Sequence, residues 1–294
     1  MPTILEVATR HSRLSICTLA LLADVASAAD FLLPAQVLAS GKADIYLSAS
    51  HASDNANITA ISTPGNLGGT ESLDLVTLYL QFRIGVGHGW QLGVSLEDDP
   101  HYVVRTDGVT KDPDTRRVSE FHNPSHSQEG RQNPTVSARY LIIDAAETPF
   151  ALTGELQASP AVPGHPTRYL GALTAAWETS HETMRPYLNL FVRNVRAPDS
   201  ADAVGVSAGV YWQVARDSSL VPYASHVRYR TTSAALGHSQ DALGLTLLQR
   251  VGPGFYFEPS LAVYRNSAVD AKPSNLHRDS SRGRAVTLAL YHAF

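Results

Sequence analysis

Charged and phenolic side chains recur within segments of this chain that otherwise carry apolar residues at alternate positions. An extended strand places every second side chain on the same face, so these polar groups would share one face of their strands. On an enclosed face they could pair as ions that brace the structure, or line a passage that screens a small polar or aromatic solute. The candidate lining residues are Arg83, Glu97, Arg139, Glu155, Arg193, His226, Arg228, Arg230, Glu258, Tyr79, Tyr187 and Tyr264.

One short motif has a spacing that suits nucleophilic catalysis. His51-Ala52-Ser53 would place an imidazole and a hydroxyl on the same side of a strand, where the histidine could act as a general base on the serine. No Asn or Asp that would orient His51 is evident on a neighbouring strand. We therefore predict no catalytic residues and no enzyme activity, and keep lipid acyl hydrolysis as an alternative.

Histidines also raise the question of a metal site. Zinc sites need three or four ligands that converge at about 2 Å. Only His122 and His126 have a suggestive spacing, and nothing specifies a third ligand, so we expect neither a metal nor another cofactor. The histidines in or near predicted loops are His101, His122, His126, His165, His238 and His277.

Composition and charge argue against a nucleic-acid-binding protein. The chain of 294 residues carries 23 Lys and Arg against 27 Asp and Glu, and no basic block marks a nucleic-acid interface. The mean hydropathy is −0.10. Because apolar residues are spread out in alternation, this value is typical of a membrane β-barrel, whose strands do not stand out in a hydropathy plot.

The N-terminus has the pattern of a secretory signal peptide over residues 1–28. Two arginines precede an apolar run from Leu14 to Ala23, and Ala26-Ser27-Ala28 forms a small-x-small cleavage site. The run is only about half of the roughly 20 residues that a membrane-spanning helix needs. We predict cleavage near Ala28 and one barrel domain over 29–294.

Twelve segments show the period-two alternation of a strand that is apolar on one face. Each is close to the ten or so residues that a tilted strand needs to cross a bilayer. The sequence predicts an all-β, antiparallel, up-and-down transmembrane barrel of about 12 strands, with 10 or 14 still possible. The segments are 41–51, 72–86, 89–98, 134–144, 149–158, 168–178, 185–195, 204–215, 220–230, 241–251, 255–266 and 284–294.

The connections between these segments alternate in length. Five are short and six are long, as expected when periplasmic turns alternate with external loops, and this pattern puts both termini in the periplasm. The longest connection, 99–133, is predicted either to be a solvated, surface-exposed loop or to have a structural role, as a hairpin above the pore or as a plug folded inward.

The last segment is the most specific pointer to a bacterial outer membrane. Val286, Leu288 and Leu290 share one face, which would contact lipid, and the chain ends in Phe294. A terminal strand of this kind resembles that of outer-membrane β-barrels, and the resemblance implies that Phe294 is presented to the barrel-assembly machinery. Outer-membrane lipids and lipopolysaccharide would surround the barrel.

The middle of the chain resembles a family of outer-membrane transporters associated with the meta-cleavage pathway of phenol degradation. The resemblance rests on Asn133 to Tyr140, Pro149 to Leu152 and the loop from Pro160 to Gly164, with Trp90 to Leu96 similar to a strand just upstream. It implies a channel for small solutes, aromatic or apolar ones among them. We therefore expect an outer-membrane channel, with an acyl hydrolase or a non-conducting structural barrel as alternatives.

Overall fold

The computed structural model describes residues 35–62, 65–111, 117–126, 134–146, 148–161, 167–179, 183–196, 202–230, 237–271 and 276–294. The predicted signal peptide lies outside these residues. Among those described, no helix is long and apolar enough to cross a membrane.

The described part of the chain is built from β-strands. The strands are β1 (Ala43–Ser62), β2 (Gly65–Gly87), β3 (Trp90–Lys111), β4 (Val118–His126), β5 (Thr135–Ile143), β6 (Phe150–Ser159), β7 (Arg168–Trp177), β8 (Met184–Val195), β9 (Ala203–Ala215), β10 (Ser218–Tyr229), β11 (Ser239–Gly252), β12 (Phe255–Asn266), β13 (Val269–Ala271), β14 (Leu276–Arg278) and β15 (Ser281–Ala293).

Twelve of these strands close into an antiparallel barrel, which confirms the predicted fold class. They are β1 to β3, β5 to β12 and β15, and each pairs with its neighbours around the ring. The first and last strands close it, with Tyr46 of β1 opposite Tyr291 of β15. Closure leaves no barrel strand with an unpaired edge, so the backbone groups can all be satisfied inside a bilayer.

Burial follows the predicted alternation along most strands. On β2, Leu80 and Phe82 face outward and are 43% and 37% exposed, whereas the inward Arg83 is 3% exposed. On β15, the outward positions are Val286, Leu288 and Leu290, as predicted. An outward apolar band of this kind suits lipid.

Five short connections between strands lie at one end of the barrel, here called the short-turn end. The start of β1 and the end of β15 lie at the same end. In the turn between β2 and β3, Gly87, His88 and Gly89 have positive φ angles of 90°, 52° and 76°. Two glycines therefore occupy left-handed positions that other residues avoid. The opposite end is called the long-loop end.

Two predicted loops are instead extensions of the strands at the long-loop end. The connections 52–71 and 99–133 were expected to be loops, but β1 and β2 continue through the first and β3 through the start of the second. These three strands have 20, 23 and 22 residues. The other barrel strands have 9 to 14 residues. Pairing along the extensions satisfies backbone hydrogen bonds beyond the apolar band.

Within 99–133, the hairpin alternative is the one that the structure contains. β4 returns along β3, with Val103 opposite His126. On the other side, β14 pairs with the extension of β1 and with β13. The sheet β13-β14-β1-β2-β3-β4 projects from the long-loop end of the barrel.

Candidate functional site in the barrel lumen

A fully buried ion pair lies at the short-turn end of the lumen. The Arg83 guanidinium donates from Nε to Asp44 Oδ1 at 2.9 Å and from Nη2 to Oδ2 at 2.8 Å. The Tyr291 hydroxyl donates to the same carboxylate at 3.1 Å. Because these residues belong to β2, β1 and β15, the pair joins the strands on both sides of β1. Sequence reasoning predicted Arg83 but missed Asp44, which stands at the very start of its strand.

A second inward ion pair joins β5 and β6, and both of its residues were predicted to face inward. Nε and Nη2 of Arg139 donate to Glu155 Oε2 at 3.0 and 2.8 Å. The Gln157 amide donates to the other oxygen of the same carboxylate at 2.8 Å. The interpretation that inward ions brace the barrel therefore applies to these residues.

Tyrosine rings surround the same level of the lumen. Tyr187 and Tyr211 pack edge to face with ring centres 6.1 Å apart, and Tyr46 and Tyr79 do so at 6.0 Å. Glu258 faces them and is 4% exposed. Tyr79, Tyr187 and Glu258 thus lie where the sequence placed them.

The segment that precedes β1 lies inside the barrel. Ala35 is 1% exposed and packs against inward side chains of β6 to β10, such as Ala151 and Val221. The Leu38 amide donates to Gln91 Oε1 at 3.0 Å. A Cβ on Gly85 would lie 2.2 Å from the Ala39 carbonyl oxygen, so the segment also runs against β2. Residues 35–41 therefore occupy the lumen at the short-turn end, which no periodicity in the sequence indicated.

Two apolar clusters face the lumen toward the long-loop end. One cluster lies on β1 to β3, β11, β12 and β15, and includes Leu73, Val104 and the predicted Tyr264. The other lies on β7 to β10, and Phe191 and Val227 belong to it. Sequence reasoning missed both clusters, because it assigned apolar side chains to the lipid face.

The structure corrects the predicted positions of His226, Arg228 and Arg230. On β10, Val221, Val227 and Tyr229 are each 1% exposed and face inward, so His226 and Arg228 face outward and are exposed. Arg230 lies just beyond the strand and is also exposed. These cations lie at the long-loop end, where water replaces lipid and the penalty for an outward charge falls.

His226 is one of several outward or external histidines that contact an aspartate. Its Nδ1 lies 2.7 Å from Asp241 Oδ1 across β10 and β11. Among the described residues, no group of three His, Cys, Asp or Glu side chains has the arrangement of a metal site. The His126 side chain and His165 lie outside the described residues.

The His51-Ala52-Ser53 motif has an orienting carboxylate that sequence reasoning did not find. His51 Nε2 lies 2.7 Å from Asp74 Oδ1, and Asp74 is the partner of Ser53 in the β1–β2 register. Among the described residues, no hydrogen bond joins His51 to the Ser53 hydroxyl. The imidazole is therefore directed at the acid and not at the nucleophile, and acyl hydrolysis stays an untested alternative.

A polar cluster at the long-loop end was also missed. The Arg278 Nε donates to Glu71 Oε1 at 2.9 Å, and Arg278 Nη2 lies 3.4 Å from Asp54 Oδ2. Asn266 and Ser281 donate to the same Asp54 oxygen, each at 2.8 Å. The cluster ties β1 and β2 to β12, β14 and β15. Its members come from distant parts of the chain, so no local motif could have indicated it.

Glu97 and Arg193, both predicted, lie on the lumen side and line one small cavity of about 40 Å³. Nine of the twelve predicted lining residues therefore face inward: Arg83, Glu97, Arg139, Glu155, Arg193, Glu258, Tyr79, Tyr187 and Tyr264.

Comparisons with known proteins bear on the fold. No protein-family model and no curated protein matches the chain. An outer-membrane channel from Pseudomonas putida F1 is similar over 88% of this chain and 98% of its own, with 12% identity and a TM-score of 0.51. A FadL homologue from Pseudomonas aeruginosa is similar over 86% of this chain and 90% of its own, with 7% identity and a TM-score of 0.42. The KdgM porin is similar over 84% of this chain and 99% of its own, with 9% identity and a TM-score of 0.45. The likeness to the first structure establishes an outer-membrane barrel fold.

Proposed function

We propose that this protein is an outer-membrane channel for small, largely apolar solutes, with its short-turn end in the periplasm. The observation that carries the proposal is the pair of apolar clusters that face the lumen around Val104 and Val227. Side chains of this kind line sites that take up apolar molecules, whereas a channel for sugars or ions would need polar walls throughout.

The outward face supports the location in the membrane. Apolar residues such as Leu80, Leu96 and Leu288 are exposed there, and exposed apolar surface of this extent needs lipid or a partner to cover it. Lipids, with lipopolysaccharide on the external side, would cover the band. The resemblance to transporters of phenol degradation agrees with small aromatic solutes, and membership of that family stays a prediction.

Residues 35–41 would set the resting conductance. Because this segment lies inside the barrel, the intact protein should conduct weakly. Planar-bilayer recordings in KCl test this on the intact protein and on a variant that lacks 35–41. We expect the deletion to raise the single-channel conductance several-fold, because conductance follows the open cross-section of a pore. Leu96→Ala, an outward change, is the matched control and should leave the conductance unchanged.

Apolar selectivity is tested in the same recordings with a neutral aromatic alcohol as a blocker. The alcohol should reduce the current, and replacement of Val104 and Val227 by threonine should weaken the block. If neither the intact protein nor the deletion variant conducts, the protein is a non-conducting barrel and the proposal is wrong.

A further inference from the structure

Arg193 is a buried cation in the lumen wall. It lies on the inward face of β8 and is 3% exposed. Its guanidinium carbon lies 6.0 Å from the centre of the Tyr229 ring, within the range of a cation–π contact. Among the described residues, Nε and Nη2 of Arg193 have no hydrogen-bond partner. A buried charge whose donors are unsatisfied is costly, so this edge needs an acceptor.

Nε and Nη2 form the edge by which the two other buried arginines of the described lumen wall hold carboxylates. Arg83 uses these two nitrogens for Asp44, and Arg139 uses them for Glu155. A guanidinium edge and a carboxylate match in shape, which makes this contact strong and directional. The same edge of Arg193 therefore suits a carboxylate, and none of the described residues supplies one there.

The cavity beside Arg193 has the size and charge for such a group. Its volume of about 40 Å³ exceeds that of a single water but is too small for a whole solute. Arg168 and Glu97 also line it. Among the described lining residues, two arginines and one carboxylate give a net charge of one positive unit, which a monoanion neutralises.

An apolar surface adjoins the cavity. Leu170 lines the cavity and also packs against the cluster of Phe191, Val227 and Tyr229. A solute whose charged group enters the cavity would therefore place its remaining atoms against this cluster, where burial of apolar surface favours binding.

We propose that the Arg193 cavity binds the carboxylate of a small monocarboxylate whose apolar body lies against Phe191, Val227 and Tyr229. The inference rests on the proposed channel, since it names the solute class that the lumen selects. Arg193 is a specificity-determining residue, and the carboxylate makes the two hydrogen bonds that its free edge offers.

Equilibrium binding to the detergent-purified full chain tests the site without requiring conduction. The probes are benzoate, its neutral analogue benzyl alcohol, and phenyl phosphate. Benzoate should bind at least about tenfold more tightly than benzyl alcohol, because hydrogen bonds to charged groups account for one or two powers of ten in affinity. Benzoate should also bind more tightly than phenyl phosphate, whose charge approaches two units at neutral pH.

Variants of Arg193 separate its role from general charge effects. Arg193→Gln should abolish the preference for benzoate, and Arg193→Lys should reduce it, since an ammonium group keeps the charge but lacks the planar edge. The lysine variant also provides the test if the glutamine variant does not fold. Arg228→Gln removes an outward arginine at the same end of the barrel and should leave the preference intact.

Equal binding of benzoate and benzyl alcohol, or an unchanged preference in Arg193→Lys, would overturn the proposal. Its failure is distinguishable from failure of the channel. A barrel that prefers benzoate but does not conduct would refute transport and keep the site, whereas a conducting barrel with no preference would refute the site alone.

Discussion

Among the residues that the structure describes, three arginines are buried in the lumen, and they differ in what holds them. Arg83 and Arg139 each have a carboxylate of the chain within 3.0 Å, so their role is to brace the wall. Arg193 has none among the described residues at Nε and Nη2. The difference matters because a guanidinium that is already paired inside the protein has little left to offer a solute.

His277, near the long-loop end, is held between two aspartates. Nδ1 lies 2.6 Å from Asp270 Oδ1 and Nε2 lies 2.9 Å from Asp279 Oδ1. Two ring nitrogens can donate at once only in the imidazolium form, and the hydrogen bond to Asp270 raises the pKa of His277 above its ordinary value.

We expect NMR titration of His277 to give a pKa above that of a free histidine, and Asp270→Asn to lower this pKa. Because the folded-state pKa is the higher one, any stabilisation by this contact is complete below the unfolded-state pKa. It disappears as the pH rises through the folded-state pKa. Asp241→Asn, which alters another aspartate–histidine contact, should leave the His277 titration unchanged, and a loss of the upward shift there would contradict the assignment.

At the scale of the strands, aromatic rings lie over glycines of the next strand. Tyr223 faces Gly244 across β10 and β11, and Tyr264 faces Gly283 across β12 and β15. A Cβ on Gly244 would lie 2.2 Å from Cζ of Tyr223. The absence of a side chain on each glycine lets the ring lie against the wall of the neighbouring strand.

Gly244→Val should force the Tyr223 ring away from the wall. The expected loss of stability is about 1–3 kcal/mol, the usual range for an overpacked site, measured by urea unfolding of the refolded protein in vesicles. Gly68→Ala is the control, since a Cβ there meets no atom within 4 Å. Equal stability of the valine variant and the native protein would show that the ring has room to move.

At the scale of the whole molecule, closure depends on the seam where β1 meets β15. Twelve residue pairs connect these strands, from Asp44 with Ala293 to Asn55 with Arg282. Asp44 contacts both neighbours of β1, through Arg83 and Tyr291. One carboxylate therefore contacts both strands that flank β1, at the seam where the sheet closes into a barrel.

Asp44→Asn should destabilise the barrel by about 3–5 kcal/mol, because it leaves the Arg83 charge buried without its partner. Urea unfolding in vesicles measures the effect, and Asp217→Asn, an exposed change in a short turn, should have little. The double variant Asp44→Leu, Arg83→Met removes both charges and should recover much of the stability. A single variant as stable as the native protein would show that water in the lumen solvates Arg83.

Most of the barrel could be predicted, but the lumen only in part. Alternation along β2 and β15 correctly placed Leu80, Leu288 and Arg83. On β10 the same reasoning failed, because apolar residues occupy both faces and the charged positions lie beyond the lipid. The acid partners Asp44 and Asp74 were missed because a contact between strands depends on register, which the pattern of one strand does not contain.

The all-β class, a count of about twelve strands and the outward apolar band could all be inferred from the sequence. These follow from a period of two, which is a local property of an extended chain and is legible without knowledge of its neighbours. The inward face of β10, the position of residues 35–41 inside the barrel and the apolar clusters of the lumen became evident only from the three-dimensional fold. The same is true of the Arg193 edge, which has no partner among the described residues. Those features depend on closure, because a lumen exists only once β15 has paired with β1 and opposite walls face each other.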